Sequence, residues 1–176
     1  MSEDISHADF QKFITKYPQF ASIGIENLGP KIWILFNTLR DNRISISSIT
    51  HRPCTSLMEN NVSFENIEHI LDNLFQSGLL STQNGSEYQL DDKIAYALQQ
   101  LSFDLTRQLP SSNEDMTELL RSCGYSSEFV STRALTPLFS DDSNLKTSKL
   151  RDLLSEVAFS GLRLIVKLLN RAEDSV

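Results

Sequence analysis

Apolar residues recur at helical spacing along most of the 176-residue chain, which predicts a mainly α-helical fold. Phe10, Phe13 and Tyr17 share one face of a predicted first helix, and Ser6 can cap its start. The segment "PKIWILFNTLR" (30–40) is apolar almost all round, a pattern typical of a central, buried helix. The segment "ISIS" (44–47) alternates between apolar and polar residues, so it predicts a short strand.

The stretch "SFENIEHILDNLFQSGLLSTQNGSEYQL" (63–90) predicts a helix, a stop and a two-stranded hairpin. Ser63 is a suitable N-cap for this helix, and Gly78 is a suitable residue to end it. The predicted buried stripe consists of Phe64, Ile67, Ile70, Leu71, Leu74 and Phe75. Asn84-Gly85 is a strong hairpin signal and predicts a two-residue type I′ turn between the strands.

The segments after the hairpin have helical periodicity, and the last predicted helix, about 148–171, is the most regular. The apolar stripe of this helix consists of Leu150, Leu153, Leu154, Val157, Leu162, Ile165, Leu168 and Leu169. Further apolar residues lie off the stripe, so the apolar surface is broader than one neighbouring helix needs. We therefore expect this helix to form a homodimer or to dock a protein partner. Packing on the preceding helices of the same chain is the alternative.

The order helix, strand, helix, helix, hairpin over about residues 28–92 resembles a winged helix-turn-helix of the MarR/PadR-like kind. The resemblance implies a domain with one β-hairpin wing. An N-terminal helical arm (1–27) would precede it, and a helical dimerisation or partner-docking region (93–176) would follow it, ending in a long amphipathic helix. It also implies that the last helix of the motif and the wing form a surface for binding another macromolecule.

Charge argues against DNA as the target of that surface. The chain has a net charge of -7, and the segment from Cys54 to Asp92 contains no Lys or Arg. The acidic residues of this segment are Glu59, Glu65, Glu68, Asp72, Glu87, Asp91 and Asp92. Most affinity for DNA comes from Lys and Arg neutralising phosphates, which this segment cannot do.

The exposed side of the predicted helix is therefore expected to bind protein, as part of a non-enzymatic accessory subunit of a larger, DNA-associated complex. The predicted partner-binding residues are Glu65, Asn66, Glu68, His69, Asp72, Asn73 and Gln76. A solvated surface without a partner is the alternative for these residues.

A small basic cluster supports a different function, that of a dimeric DNA-binding transcriptional regulator. The candidate phosphate contacts are Lys31, Arg40, Arg43 and Arg52. Phosphate contacts position a protein on DNA without specifying sequence. The candidate base contacts are Asn66, His69, Asn73 and Gln76, since Asn and Gln can pair with adenine. This density of basic residues is also ordinary for a solvated surface.

No set of nucleophile, base and orienting group can be assembled from the sequence, so neither an enzyme nor a cofactor is expected. His51 and Cys54 have the spacing of metal ligands, but further ligands are not visible nearby, and no metal site is expected. No apolar run approaches the roughly 18 residues of a membrane span. The start "MSEDISHADF" has no signal-peptide features, so a cytoplasmic protein is expected.

Overall fold

The structure, a computed structural model, describes residues 5–50 and 64–174, and within them the chain is mainly α-helical. The helices are α1 (His7–Lys16), α2 (Leu28–Asp41), α3 (Ile46–Thr50), α4 (Phe64–Gln76), α5 (Asp92–Thr106), α6 (Asn113–Ser122), α7 (Ser127–Thr132), α8 (Ser143–Glu156) and α9 (Ala158–Asp174). Short 3-10 turns lie at Pro18–Phe20 and Thr136–Phe139. The strands are β1 (Ile44–Ser45), β2 (Leu80–Thr82) and β3 (Glu87–Leu90).

The three strands form a small antiparallel sheet in the order β1-β3-β2. The strand predicted over 44–47 is shorter than expected, because α3 already begins at Ile46. Two serines explain this early start: the amide of Ser48 donates to Oγ of Ser45 at 3.0 Å, and the amide of Ser45 donates to Oγ of Ser48 at 2.8 Å. This reciprocal arrangement has the geometry of a capping box, with Ser in the position usually held by Glu.

The predicted hairpin is present, but the predicted type I′ turn is wrong. The register pairs Thr82 with Tyr88, whereas a two-residue turn at Asn84-Gly85 would pair Thr82 with Glu87. Gly85 has a positive φ of 76°, but Asn84 does not share it. Instead, Oδ1 of Asn84 accepts hydrogen bonds from the amides of Ser86 and Glu87, both at 3.0 Å. The Asn84 side chain therefore stabilises a longer connection.

Helix α2 is central, as its apolar sequence predicts. Its residues from Leu28 to Thr38 are buried, and it packs against α4, α5, α8, α9, β1 and β3. A Cβ at Gly29 would lie 3.0 Å from the Phe159 ring of α9, so glycine permits the close approach of the two helices. Buried residues from the predicted segments 1–27, 28–92 and 93–176 all belong to one hydrophobic cluster, and the division into those segments stays a prediction.

The single C-terminal helix predicted over about 148–171 is wrong. The chain forms two helices, α8 and α9, and Val157 between them is extended, with φ -136° and ψ 124°. Side chains of α2 satisfy polar groups at the end of α8: Nδ2 of Asn37 donates to the carbonyl oxygen of Ser155 at 3.0 Å, and Arg40 donates to its hydroxyl at 3.0 Å. The apolar periodicity continues across the break because Val157 and Ala158 are both buried.

Candidate interaction face

One side of α4 is apolar and buried, and the opposite side is polar and exposed. Ile67, Ile70, Leu71 and Leu74 are buried and hold α4 against α2, α3 and β2. The polar side, here called the α4 face, consists of Asn66, Glu68, His69, Asp72, Asn73 and Gln76. All of these are exposed except Asn73, which is half-buried. The side chain of Glu65 and the predicted N-cap Ser63 lie outside the described residues.

Two members of the α4 face contact each other along the helix. Nδ2 of Asn73 lies 3.2 Å from Nε2 of His69, one helical turn earlier. The two groups can share one hydrogen bond, whose donor and acceptor depend on the tautomer of the imidazole and the orientation of the amide. Glu68 and Asp72 on the same face provide negative charge beside this pair.

Phe75 was predicted to be buried, and this is wrong: 39% of the residue is exposed. Its ring packs edge-on against Tyr88 of β3, with the ring centroids 6.4 Å apart. Phe75 belongs to the last turn of α4, where the neighbouring element is the hairpin rather than the core. Helical spacing alone cannot distinguish these two environments, so the exposure of Phe75 could not be predicted from the apolar pattern. Exposed aromatic residues beside polar ones are frequent anchors of protein interfaces.

The hairpin, whose strand β2 packs against α4, carries further polar residues. A shallow cleft of about 70 Å³ is lined by Arg43, Ser81, Thr82, Gln83, Asn84, Glu87 and Gln89. Arg43 is its basic member, and its Nη1 lies 3.8 Å from Oε2 of Glu87. The α4 face and the hairpin together present Glu68, Asp72 and Glu87, and neither element contains Lys or Arg.

The predicted phosphate contacts do not form one exposed basic surface in the described residues. Lys31 is only 6% exposed, and its Nζ donates to the carbonyl oxygen of Ile23 at 2.6 Å. Burial lowers the pKa of Lys31, partly offset by the charge of Glu26. The burial of this side chain disfavours Lys31 as a phosphate contact, and that role stays a prediction. Arg40 donates to Asn37 and Ser155, at 3.0 Å each, and thereby joins α2 to α8.

The remaining two predicted phosphate contacts are Arg43 and Arg52. The side chain of Arg43 is 61% exposed, so it remains accessible to a polyanion. Arg52 lies outside the described residues, as do His51 and Cys54. Within the predicted cluster, one of the three described cations is therefore buried and a second is engaged in packing between helices.

The predicted docking stripe lies inside the core of the chain. Its buried members are Leu150, Leu153, Leu154, Val157, Leu162, Ile165 and Leu168, and Leu169 is partly buried. Both α8 and α9 pack against α2 and α5, and this packing accounts for the breadth of the stripe within one chain. A role of these helices in dimerisation or docking stays a prediction.

Two further observations concern metal binding and membrane spans. Among residues 5–50 and 64–174, no three His, Cys, Asp or Glu side chains lie close enough together to hold a metal ion. In the same part of the chain, no helix is both long and apolar enough to cross a membrane.

Comparison with known proteins gave no match to any family model, to any curated protein or to any solved structure. Function is therefore inferred from the residues of the chain itself.

Proposed function

We propose that this chain is a non-enzymatic interaction subunit whose binding surface is the α4 face together with the β2–β3 hairpin. The order α2, β1, α3, α4, β2, β3 and the strand order β1-β3-β2 support a winged helix-turn-helix arrangement. In that arrangement α4 and the hairpin are the elements that meet the partner. A fold of this kind carries many functions, so the partner has to be argued from the surface chemistry.

The observation that carries the proposal is the charge of the surface. Glu68 and Asp72 lie on the exposed side of α4, an element that contains no Lys or Arg. Glu87 lies on the hairpin, where Arg43 pairs with it, so the net negative charge of the surface comes from α4. Carboxylates that face the phosphates of DNA are repelled, whereas they attract a basic or polar protein surface. Phe75, beside these residues, supplies an apolar anchor of the kind that protein interfaces use. A protein partner with a basic surface fits this combination best.

DNA binding provides the first test. With Lys31 buried, the predicted cluster retains Arg40, Arg43 and Arg52. A protein that binds DNA through three phosphate contacts loses about 40-fold in affinity when the salt concentration rises from about 50 to about 200 mM. A protein with six to ten contacts would lose about 10³–10⁵-fold over the same range. We expect no binding of the chain to generic duplex DNA by fluorescence anisotropy, even at the lower salt concentration. Tight binding that collapses with salt would instead support the dimeric DNA-binding regulator.

A charge reversal provides the second test. The double variant Glu68→Lys and Asp72→Lys changes two exposed side chains of the α4 face, so it should leave folding intact and abolish co-purification of protein partners from native cells. The matched control is Glu118→Lys with Asp141→Lys, which makes the same change in net charge on α6 and in the loop before α8. Partner binding that survives in the first variant, or that is lost equally in both, would show that the α4 face is not the binding surface.

A further inference from the structure

Helix α5 carries an exposed stripe on the side opposite to the core. The buried residues that face the core are Ile94, Ala97, Leu98, Leu101 and Leu105. The exposed stripe, here called the α5 stripe, consists of Asp92, Tyr96, Gln99, Gln100, Phe103 and Arg107. Residues three, four or seven positions apart share one face of a helix, and Arg107 continues that face with helical dihedral angles, φ -65° and ψ -19°.

Two aromatic side chains of the α5 stripe are exposed although they are large. Tyr96 is 58% exposed and Phe103 is 37% exposed, and they lie about two helical turns apart. Tyrosine and arginine are enriched among the residues that contribute most to binding in protein interfaces, and aromatic pairs between chains add to that binding. The composition of the α5 stripe is therefore that of an interface.

The α5 stripe is symmetric about its middle, which lies between positions 99 and 100. Tyr96 and Phe103 lie about 5 Å along the helix axis on either side of that midpoint, and Asp92 and Arg107 lie about 11 Å on either side of it. If two copies of α5 pair antiparallel about the midpoint, each residue meets its counterpart from the other side. A twofold dimer requires such self-complementarity, because the same patch serves both copies.

The charges at the two ends of the α5 stripe fit the same pairing. Asp92 is exposed in the first turn of α5, and the side chain of Arg107 is 75% exposed. Nη2 of Arg107 lies 4.0 Å from Oδ1 of Asp104, but a guanidinium has five N–H donors, so this contact leaves donors for a second carboxylate. Antiparallel pairing brings Asp92 of each copy next to Arg107 of the other, whereas parallel pairing would bring like charges together.

Contacts on either side of the α5 stripe hold the helix in place. The carboxylate of Asp104 accepts from the hydroxyl of Tyr17 at 2.5 Å, and on the other side Nε of Arg151 donates to the hydroxyl of Ser102 at 3.2 Å. Lys93 is about 100° around the helix axis from its neighbour Asp92 and so lies at the edge of the stripe. The surface is therefore preformed, and little binding free energy would be spent on ordering the helix.

We propose that two copies of this chain associate through the α5 stripe as an antiparallel, twofold-symmetric helix pair. Tyr96 of each copy packs against Phe103 of the other, and an ion pair between Asp92 and Arg107 closes each end. A single helix face buries less area than a standard interface, so the dimer is expected to be weak. This surface differs from the apolar stripe of α8 and α9, shares no residue with the α4 face and does not depend on the proposed interaction function.

Sedimentation equilibrium of the full-length chain between about 10 μM and about 1 mM, a range that includes weak dissociation constants, provides the first test. We expect the mean mass to rise from that of one copy towards that of two. Tyr96→Ser with Phe103→Ser should weaken the dimer by about a hundredfold, about tenfold for each of the two symmetric aromatic contacts. The control Leu145→Ser removes an exposed apolar side chain of α8, outside the α5 stripe, and should leave association unchanged.

A charge exchange tests the antiparallel pairing itself. Asp92→Lys alone and Arg107→Glu alone each place like charges opposite each other at both ends of the dimer, so each variant should dimerise less than the wild type. An equimolar mixture of the two variants should recover association as a heterodimer, because opposite charges then meet at both ends. Recovery in the mixture cannot result from a loss of folding, and thermal unfolding shows that each variant is folded by itself.

Three results would overturn the proposal. The first is a wild-type chain that stays monomeric at about 1 mM, where even a weak dimer would be populated. The second is a dimer that the aromatic double variant leaves intact, because the two copies would then meet through another surface. The third is a mixture of the charge variants that associates no better than either variant alone, because the copies would then not pair antiparallel about the middle of the α5 stripe.

Discussion

The junction between α8 and α9 depends on Asn37, a residue of α2 that is distant in sequence. Asn37 is fully buried, and its Nδ2 donates to the carbonyl oxygen of Ser155 at 3.0 Å and to that of Trp33 at 2.8 Å. Its Oδ1 accepts from Nη2 of Arg40 at 3.0 Å. The carbonyl groups in the last turn of a helix have no partner within that helix, so the Asn37 amide acts as a cap supplied by another element. We predict that Asn37→Ala destabilises the fold at this junction.

The magnitude follows from the groups that lose a partner. A buried carbonyl left without its donor costs about 1–3 kcal/mol, and the space left by the amide adds a smaller cavity cost. Arg40 is partly exposed, so water can replace its lost contact, and the bond to Trp33 lies within α2. The expected loss is about 2–4 kcal/mol in the free energy of unfolding. For a chain of 176 residues this corresponds to a fall of about 4–16 °C in Tm.

Urea unfolding followed by circular dichroism measures this loss, and two further variants show its origin. Asn37→Leu fills the space without a donor, so it should retain the hydrogen-bond part of the cost, about 1–3 kcal/mol. Arg43→Ala, which removes an exposed ion pair, should change stability by no more than about 0.5 kcal/mol. If both Asn37 variants unfolded within about 0.5 kcal/mol of the wild type, less than the cost of one unsatisfied buried group, the amide would not hold the end of α8.

Two other buried polar groups give predictions of the same kind. Tyr17→Phe removes the hydrogen bond to Asp104 and should cost about 1–2 kcal/mol in urea unfolding, and an unchanged midpoint would contradict this. Burial lowers the pKa of Lys31, so the unfolded chain holds the proton of this ammonium more tightly than the folded chain does. The stability of the wild type relative to Lys31→Met should therefore rise as the pH approaches about 10.4, the ordinary pKa of lysine. A stability difference that stays constant between about pH 8 and pH 10.4 would refute this reasoning.

Local features of the fold could be predicted from the sequence because they depend on neighbouring residues. Ser6 caps α1 by accepting from the amide of Asp9, as its position before the first apolar residue predicts. Gly78, with φ 81°, follows α4, and the amide of Leu79 donates to the carbonyl of Leu74, the pattern of a helix that ends at glycine. The burial of α2 follows from its nearly uniform apolar surface.

Features that depend on distant residues could not be predicted in this way. The break at Val157 interrupts no apolar periodicity, and the side chains that satisfy the end of α8 come from residues 37 and 40. Lys31 is charged and follows Pro30, so the sequence gives no sign that its ammonium reaches the carbonyl of Ile23 within the fold. Phe75 fits a buried stripe by spacing, but its neighbour in the fold is Tyr88 of the hairpin, and 39% of Phe75 is exposed.

The α4 face depends both on local residues and on distant ones, and this determines which substitutions can test it. The exposed side of α4 follows from helical periodicity, but α4 packs against α2, and α2 packs against α8 and α9 in the same hydrophobic cluster. A substitution in that cluster would disturb the α4 face indirectly, because it would alter the stability of the whole unit. Loss of partner binding in such a variant would not distinguish a binding residue from a packing residue. Glu68 and Asp72 avoid this difficulty because both are exposed, so their reversal tests the charge of the surface rather than the integrity of the fold.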